Sequence, residues 1–179
     1  MSHPKLYLLV GYPGAGKTTT AKIIHEATGA THLWADHVRW QMFKQPRHSD
    51  AESHKLYSYL NNLTAKLLRS GTSVIFDTNF NYRSDRDHLR KIAQDNGAQT
   101  VLIWLTTPIN IARERAVHNH TTRNGYTVNM TNEMFQSITD KLEQPTEDEN
   151  PIKIDGTKLD TVALSAQFSK YDGAAIKQN

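Results

Sequence analysis

Eight consecutive residues constrain this chain more than any others. Gly11-Tyr12-Pro13-Gly14-Ala15-Gly16-Lys17-Thr18 fits the pattern GxxxxGK[ST]. Before it stands Lys5 to Val10 (KLYLLV), a nearly continuous apolar run of the kind found in strands covered on both faces. After it, Thr18 to Thr28 reads as a helix closed by Gly29. A strand, a glycine-rich turn and a helix start in that order make a phosphate cradle. The glycines let successive N–H groups point inward, and the helix adds the positive end of its dipole. Lys17 is placed to reach β and γ phosphates, and the Thr18 hydroxyl to hold Mg2+. The predicted nucleotide-contacting set is Gly11, Tyr12, Pro13, Gly14, Ala15, Gly16, Lys17, Thr18 and Thr19, although simple helix filling is the favoured account of Thr19 and Thr20.

The rest of the chain alternates strand and helix signals. His32 to Trp34, Ser73 to Asp77, Thr100 to Leu105 and Ile152 to Ile154 read as strands. Asp36 to Phe43 reads as a short helix. Ser49-Asp50-Ala51-Glu52 is a capping box opening a long helix with Leu56, Leu60, Leu63 and Leu67 on one face. Ser84 with Asp87 caps the next helix. Thr107-Pro108 starts one that runs to about Val117, Thr131 to Glu143 carries Met134, Ile138 and Leu142 inward, and Leu159 to Lys170 is the last. Such alternation predicts a parallel sheet covered by helices on both faces, an α/β/α sandwich. The expected organisation is one domain over 1–179 with its core at about 5–170. A polar lid is expected at about 118–128 and a frayed tail at 172–179.

Composition narrows the setting. The chain has 179 residues with 37% hydrophobic, enough for a packed core, and no cysteine, which removes disulfides and thiolate metal sites. No apolar run approaches the roughly 20 residues a bilayer crossing needs, and no cleavable signal pattern is visible, so a cytoplasmic location is expected. A net charge of +3 leans toward anionic partners and is well short of a long basic stripe.

The cradle does not name a reaction, but the residues at the same sheet edge narrow it. Asp77 ends an apolar strand and would help Thr18 hold Mg2+. The next residue is Thr78 rather than the second carboxylate that motor-type ATPases use to activate water, and no NKxD element for guanine is present. The first point favours transfer to an acceptor other than water, and the second disfavours a GTPase. Asp36 and Arg39 stand at i and i+3, on one helical face. This spacing fits a carboxylate that takes a hydroxyl proton beside a guanidinium that holds an anion. It fits equally a helix cap paired with an arginine one turn on.

Together, Gly11 to Thr18, Asp36-His37-Val38-Arg39, Asp77-Thr78-Asn79-Phe80-Asn81 and Glu143-Gln144-Pro145-Thr146-Glu147-Asp148-Glu149 resemble one group of P-loop kinases. The group includes the 5′-hydroxyl polynucleotide kinase of phage, with its DxxR and DTNxN elements in the same order, and more loosely the zeta-toxin-type and gluconate-kinase-type enzymes. The likeness runs from about Leu6 to Ile154. It implies a P-loop NTPase fold with a five-stranded parallel sheet in the order 2-3-1-4-5, and an ATP- and Mg2+-dependent kinase in which Asp36 is the general base and Arg39 holds substrate. It also implies that Arg115 is a phosphate-clamping lid arginine. The second lid arginine of the pattern falls on Asn119, and Arg123 takes its place after a short insertion. Arg113 reads as a surface residue or an adenine partner. Asn79 and Asn81 read as acceptor contacts or turn residues, and Arg86 as a recurring arginine of the helix after DTNxN or part of a solvated face. Asp155-Gly156-Thr157 sits where related kinases hold adenine, and Glu147 to Glu149 reads as a solvated acidic turn.

The expected acceptor is a nucleic-acid 5′ end, fed by a basic channel of Arg39, Lys44, Arg47, Arg83 and Arg86 with Trp40 and Phe43 for stacking. A small molecule (metabolite, nucleoside or antibiotic) is the alternative. A non-catalytic ATP-binding module is the rival class, disfavoured by the presence of Asp36 beside Lys17.

Overall fold

A computed structural model describes residues 3–118 and 130–173. Five parallel strands form one sheet in the order β2-β3-β1-β4-β5, with β1 at Lys5–Val10, β2 at Thr31–Trp34, β3 at Val74–Asp77, β4 at Gln99–Leu105 and β5 at Ile152–Ile154. Each strand is short and rich in Val, Ile, Leu and aromatic residues. The central strand β1 is buried at all six positions because helices cover both of its faces.

Side-chain alternation divides the core into two. Leu6, Leu8, Val10, Val74 and Phe76 face α3 (Asp50–Arg69) and α4 (Arg83–Asp95), meeting Leu56, Leu60, Leu68, Leu89 and Ala93. Tyr7, Leu9, Ile75, Val101 and Ile103 face α1 (Lys17–Thr28) and α7 (Thr161–Gly173), meeting Ala21, Ile24, Leu164 and Phe168. With the glycine-rich loop between β1 and α1, this is a P-loop NTPase fold of the expected strand order. A satellite cluster of Ala112, Val117 and Phe135 joins α5 (Ile109–Arg113) to α6 (Asn132–Asp140). No helix among the described residues is long and apolar enough to cross a membrane.

Several local expectations are corrected. In α3 the fully buried row is Leu56, Leu60, Thr64 and Leu68, while Leu63 and Leu67 flank it half-buried. A step of four keeps these residues on one stripe. The cap of α4 is Tyr82 with no side-chain cap bond; instead the Arg83 N–H donates to Glu143 Oε2 at 2.7 Å, a partner 60 residues away. After Arg113 the helix widens into a π turn over Glu114–His118. In α6 Phe135 is the buried residue and Met134 is 47% exposed, while Ile138 and, just past the helix, Leu142 are partly buried. That helix ends at Asp140, and α7 starts at Thr161. Most of the expected lid, residues 119–128, and the tail from 174 lie outside the described residues.

Candidate active site

The phosphate loop is clamped on three sides. The Thr107 hydroxyl donates to Ala15 O at 2.8 Å. A Cβ at Gly14, where φ is 80°, would stand 2.2 Å from Ala112 O, so the loop lies against α5. A Cβ at Gly156 would stand 2.1 Å from both Ala15 O and Thr107 Oγ1, so the turn after β5 closes the third side. Gln144 Nε2 donates to the Tyr12 hydroxyl at 3.0 Å, tying the loop to the segment after α6.

Lys17 is 9% exposed, and its ammonium donates to Gly11 O at 2.7 Å and Tyr12 O at 3.0 Å. Burial brings its pKa down to about 8, against the pull of the Asp77 and Asp36 carboxylates. Three charged groups at the carboxyl edge of the sheet thus feel one another: Lys17, Asp77 and Asp36. Asp77 follows Ile75 on the α1 side of the sheet, the side on which Thr18 begins its helix. It is 3% exposed and accepts from His32 Nε2 at 2.9 Å. A buried carboxylate and a hydroxyl give hard oxygen ligands, the donor type Mg2+ takes, and too few of them for a cage without nucleotide phosphates.

Asp36 and Arg39 sit on α2 (Ala35–Met42). Asp36 is exposed to solvent, with protein crowding its carboxylate from the sheet side. That desolvation and repulsion from Asp77 push its pKa up from the ordinary aspartate value, against His48, Arg39 and Lys17. Arg39 is 5% exposed. Its Nη2 donates to Ser53 Oγ at 3.2 Å and its Nη1 stands 3.9 Å from Glu52 Oε2, but Nε and Nη1 make no hydrogen bond. Buried donors without acceptors are rare and costly, so these two invite an anion. Beside them the Tyr57 and Thr78 hydroxyls meet at 2.8 Å.

Arg115 donates to Gly156 O at 2.8 Å from within the π turn, and so reaches the turn that backs the phosphate loop. Arg113 turns away, donating to Gln136 Oε1 at 2.9 Å with its guanidinium 5.2 Å over the Phe135 ring. Arg123 lies outside the described residues.

The acidic segment is solvated at Glu147 and Asp148, as expected, but not at Glu149, which is buried. Arg86 is fully buried and bidentate on Glu149, with Nε to Oε2 at 2.8 Å and Nη2 to Oε1 at 2.7 Å; its Nη1 donates to Glu143 O at 3.0 Å. Arg90 adds a 2.6 Å bond to Glu149 Oε2. Burial alone would raise the Glu149 pKa, but the Arg86 and Arg90 hydrogen bonds outweigh it and bring it down to about 2. Arg83 is committed to Asp148 at 2.5 Å. The Glu143 N–H donates to Asn81 O at 2.7 Å. Residues 143–149 therefore strap the loop after β3 to the phosphate loop, and Arg83 and Arg86 leave the expected basic channel. Two signals existed for this: Thr146-x-x-Glu149 is itself a capping box, realised in the structure, and Arg86 matched a recurring arginine. His32 carried no signal, because only strand register brings it to the site, and Gln144 was marked only by its place in the segment of resemblance.

The family model AAA_33, an AAA domain, matches residues 6–145. A putative kinase from Chloroflexus aurantiacus has the same fold at 18% identity and a TM-score of 0.73, over 96% of this chain and 97% of that one. A gluconokinase from Sinorhizobium meliloti does so at 21% identity and a TM-score of 0.63, over 97% and 96%. A chain of the Pnkp1/Rnl/Hen1 RNA repair complex aligns at 22% identity and a TM-score of 0.66, over 79% of this chain and 45% of its own length. None of the curated proteins matches.

Proposed function

The chain belongs to this AAA-domain family, and from that premise we propose that it is a phosphotransferase moving the γ-phosphoryl group of ATP to an acceptor hydroxyl. The observation that carries the reading is the phosphate loop that sets Lys17 at the sheet edge where Asp77 ends β3 and Asp36 opens α2, and the raised Asp36 pKa accords with it. A carboxylate of raised pKa is the better base near neutrality.

In this reading the acceptor oxygen gives its proton to the Asp36 carboxylate and attacks the γ-phosphorus in line. A new O–P bond forms as the bond to the β-phosphate oxygen breaks, and ADP leaves. Lys17 lets go of the Gly11 and Tyr12 carbonyls to meet phosphate oxygens, and Gly11 to Thr19 supply N–H groups and the helix dipole. Arg115 and Arg123 clamp the transferred group. Thr18 and Asp77 would hold Mg2+, whose charge offsets that of the phosphates.

Arg39 selects the acceptor. One buried guanidinium with two nitrogens that make no hydrogen bond, its charge met only by Glu52 at 3.9 Å, suits a small hydroxyl compound carrying a single anionic group. A polynucleotide 5′ end is the second reading. Its support is Trp40, 38% exposed and one turn beyond Asp36, with Lys44 and Arg47 exposed nearby. The pairing of Arg83 and Arg86 with acidic partners weighs against it.

The test is ADP release from ATP with Mg2+ against sugar acids, phosphosugars, nucleosides and 5′-hydroxyl oligonucleotides. Turnover with an acceptor, abolished in a folded Lys17→Ala variant, supports the kinase. ATP binding with no turnover across the panel would favour a non-catalytic ATP module. A steep fall in activity with salt would identify the oligonucleotide.

A further inference from the structure

His32 lies on β2 opposite Ile75, and Trp34 lies opposite Asp77. Strand alternation therefore turns His32 to the same side as Asp77, where the two meet at 2.9 Å. The Asp77 side chain is 4% exposed and that of His32 16%. A contact this close requires Nε2 to carry a proton and donate it to Oδ2. Lys17, the cation of the site, is turned to the Gly11 and Tyr12 carbonyls instead.

The partner's chemistry matters. A buried carboxylate needs a donor. A lysine or arginine would satisfy it with a fixed positive charge, which a divalent cation would then have to displace. An imidazole N–H orients the carboxylate through one oxygen and carries no fixed charge. This is how histidine and carboxylate pairs set the geometry of groups that face a metal.

We propose that His32 is a positioning residue for Asp77, holding its carboxylate in the orientation that meets the magnesium of a bound nucleotide. The proposal rests on the reading of Asp77 as a magnesium-holding residue.

The test measures metal-dependent nucleotide affinity and needs no acceptor. AMPPNP, a non-hydrolysable ATP analogue, is titrated calorimetrically into the full chain with Mg2+ in excess and again with EDTA. The ratio of the two affinities is the metal enhancement. His32→Phe keeps a ring and loses the donor. It is expected to reduce the enhancement about 10-fold or more while leaving the affinity in EDTA unchanged. His32→Gln, whose side-chain nitrogen lies the same number of bonds from the backbone as Nε2, is expected to keep most of it. Asp77→Asn is expected to lose it. An unchanged or increased enhancement in His32→Phe overturns the proposal while Asp77→Asn still upholds the magnesium reading; full enhancement in Asp77→Asn overturns both. Loss of affinity in EDTA as well would make His32 a structural residue and also overturn it. Should His32→Phe fail to fold, His32→Ala in the same titration decides.

Discussion

Arg39 and Arg86 are both buried arginines, each on a helix that follows a strand at the carboxyl edge of one sheet, and the protein treats them in opposite ways. Every guanidinium nitrogen of Arg86 has an acceptor: two go to Glu149 and one to Glu143 O. Arg39 has one hydrogen bond, to Ser53, and two nitrogens with none. A satisfied buried charge builds structure, since removing its partner leaves an uncompensated ion. An unsatisfied one lowers stability and is retained where a ligand completes it. The strap region thus reads as scaffold and the α2 region as binding surface, although sequence makes the two arginines look alike.

The comparison can be broken most directly at Arg86. Arg86→Ala should cost about 3–5 kcal/mol in urea unfolding, because Glu149 is left buried without its main partner. Pairing Arg86→Met with Glu149→Leu should recover much of that loss. A mild effect of Arg86→Ala would mean that Arg90 alone suffices and the strap is not scaffold.

Acid titration reads the same region through its other partner. The Glu149 pKa is about 2 in the folded chain against an ordinary 4.5. A depressed acid pKa means that the unfolded state binds more protons below about pH 4.5. The stabilisation is complete above that value and is lost as pH falls toward about 2, on the order of 3 kcal/mol in all. Glu149→Gln should be less stable at pH 6 and show a flatter acid limb. Equal slopes for the two proteins would contradict the assignment.

On the binding side, Asp36→Asn should cut turnover about 100-fold with nucleotide affinity retained. A fall in melting temperature with turnover intact would make Asp36 a helix cap. The smallest effect sharpens the contrast itself. Arg39→Met should leave stability within about 1 kcal/mol of the parent while lowering kcat/KM for the acceptor about 10-fold. Destabilisation on the Arg86 scale would erase the distinction between the two regions.

Sequence made the scaffold's periodic parts legible. β1 runs over the expected residues because its apolar run is unbroken, and Ser49 caps α3 because its hydroxyl meets the Glu52 N–H locally, although the Glu52 carboxylate goes to the Arg47 and His48 N–H groups and leaves the box half-formed. The phosphate loop was equally plain, since its spelling is its mechanism. Long-range placement was not legible. The separation of 63 positions from Arg86 to Glu149 hides an ion pair that only the docking of the strap creates. The buried residue of α6 was missed because Phe135 and Met134 are adjacent and both apolar, so periodicity over one short helix does not choose between them. The α2 site was legible in residues and not in roles. Asp36 and Arg39 have the spacing of a cap pair, and only the resemblance to P-loop kinases separated that reading from a catalytic one.

The closeness of Gly156 to Ala15 O and Thr107 Oγ1 has a bearing on mutational tolerance. Gly156 stands 140 positions beyond Gly16 and belongs to no phosphate-binding spelling, yet a single methyl group there would push on the floor of the loop. In a saturation library selected for nucleotide binding, position 156 should therefore return glycine about as stringently as the loop itself, while its neighbours Asp155 and Thr157 accept replacements. The nucleotide-binding unit recorded by such a selection would be discontinuous, with its last indispensable residue near the end of the chain.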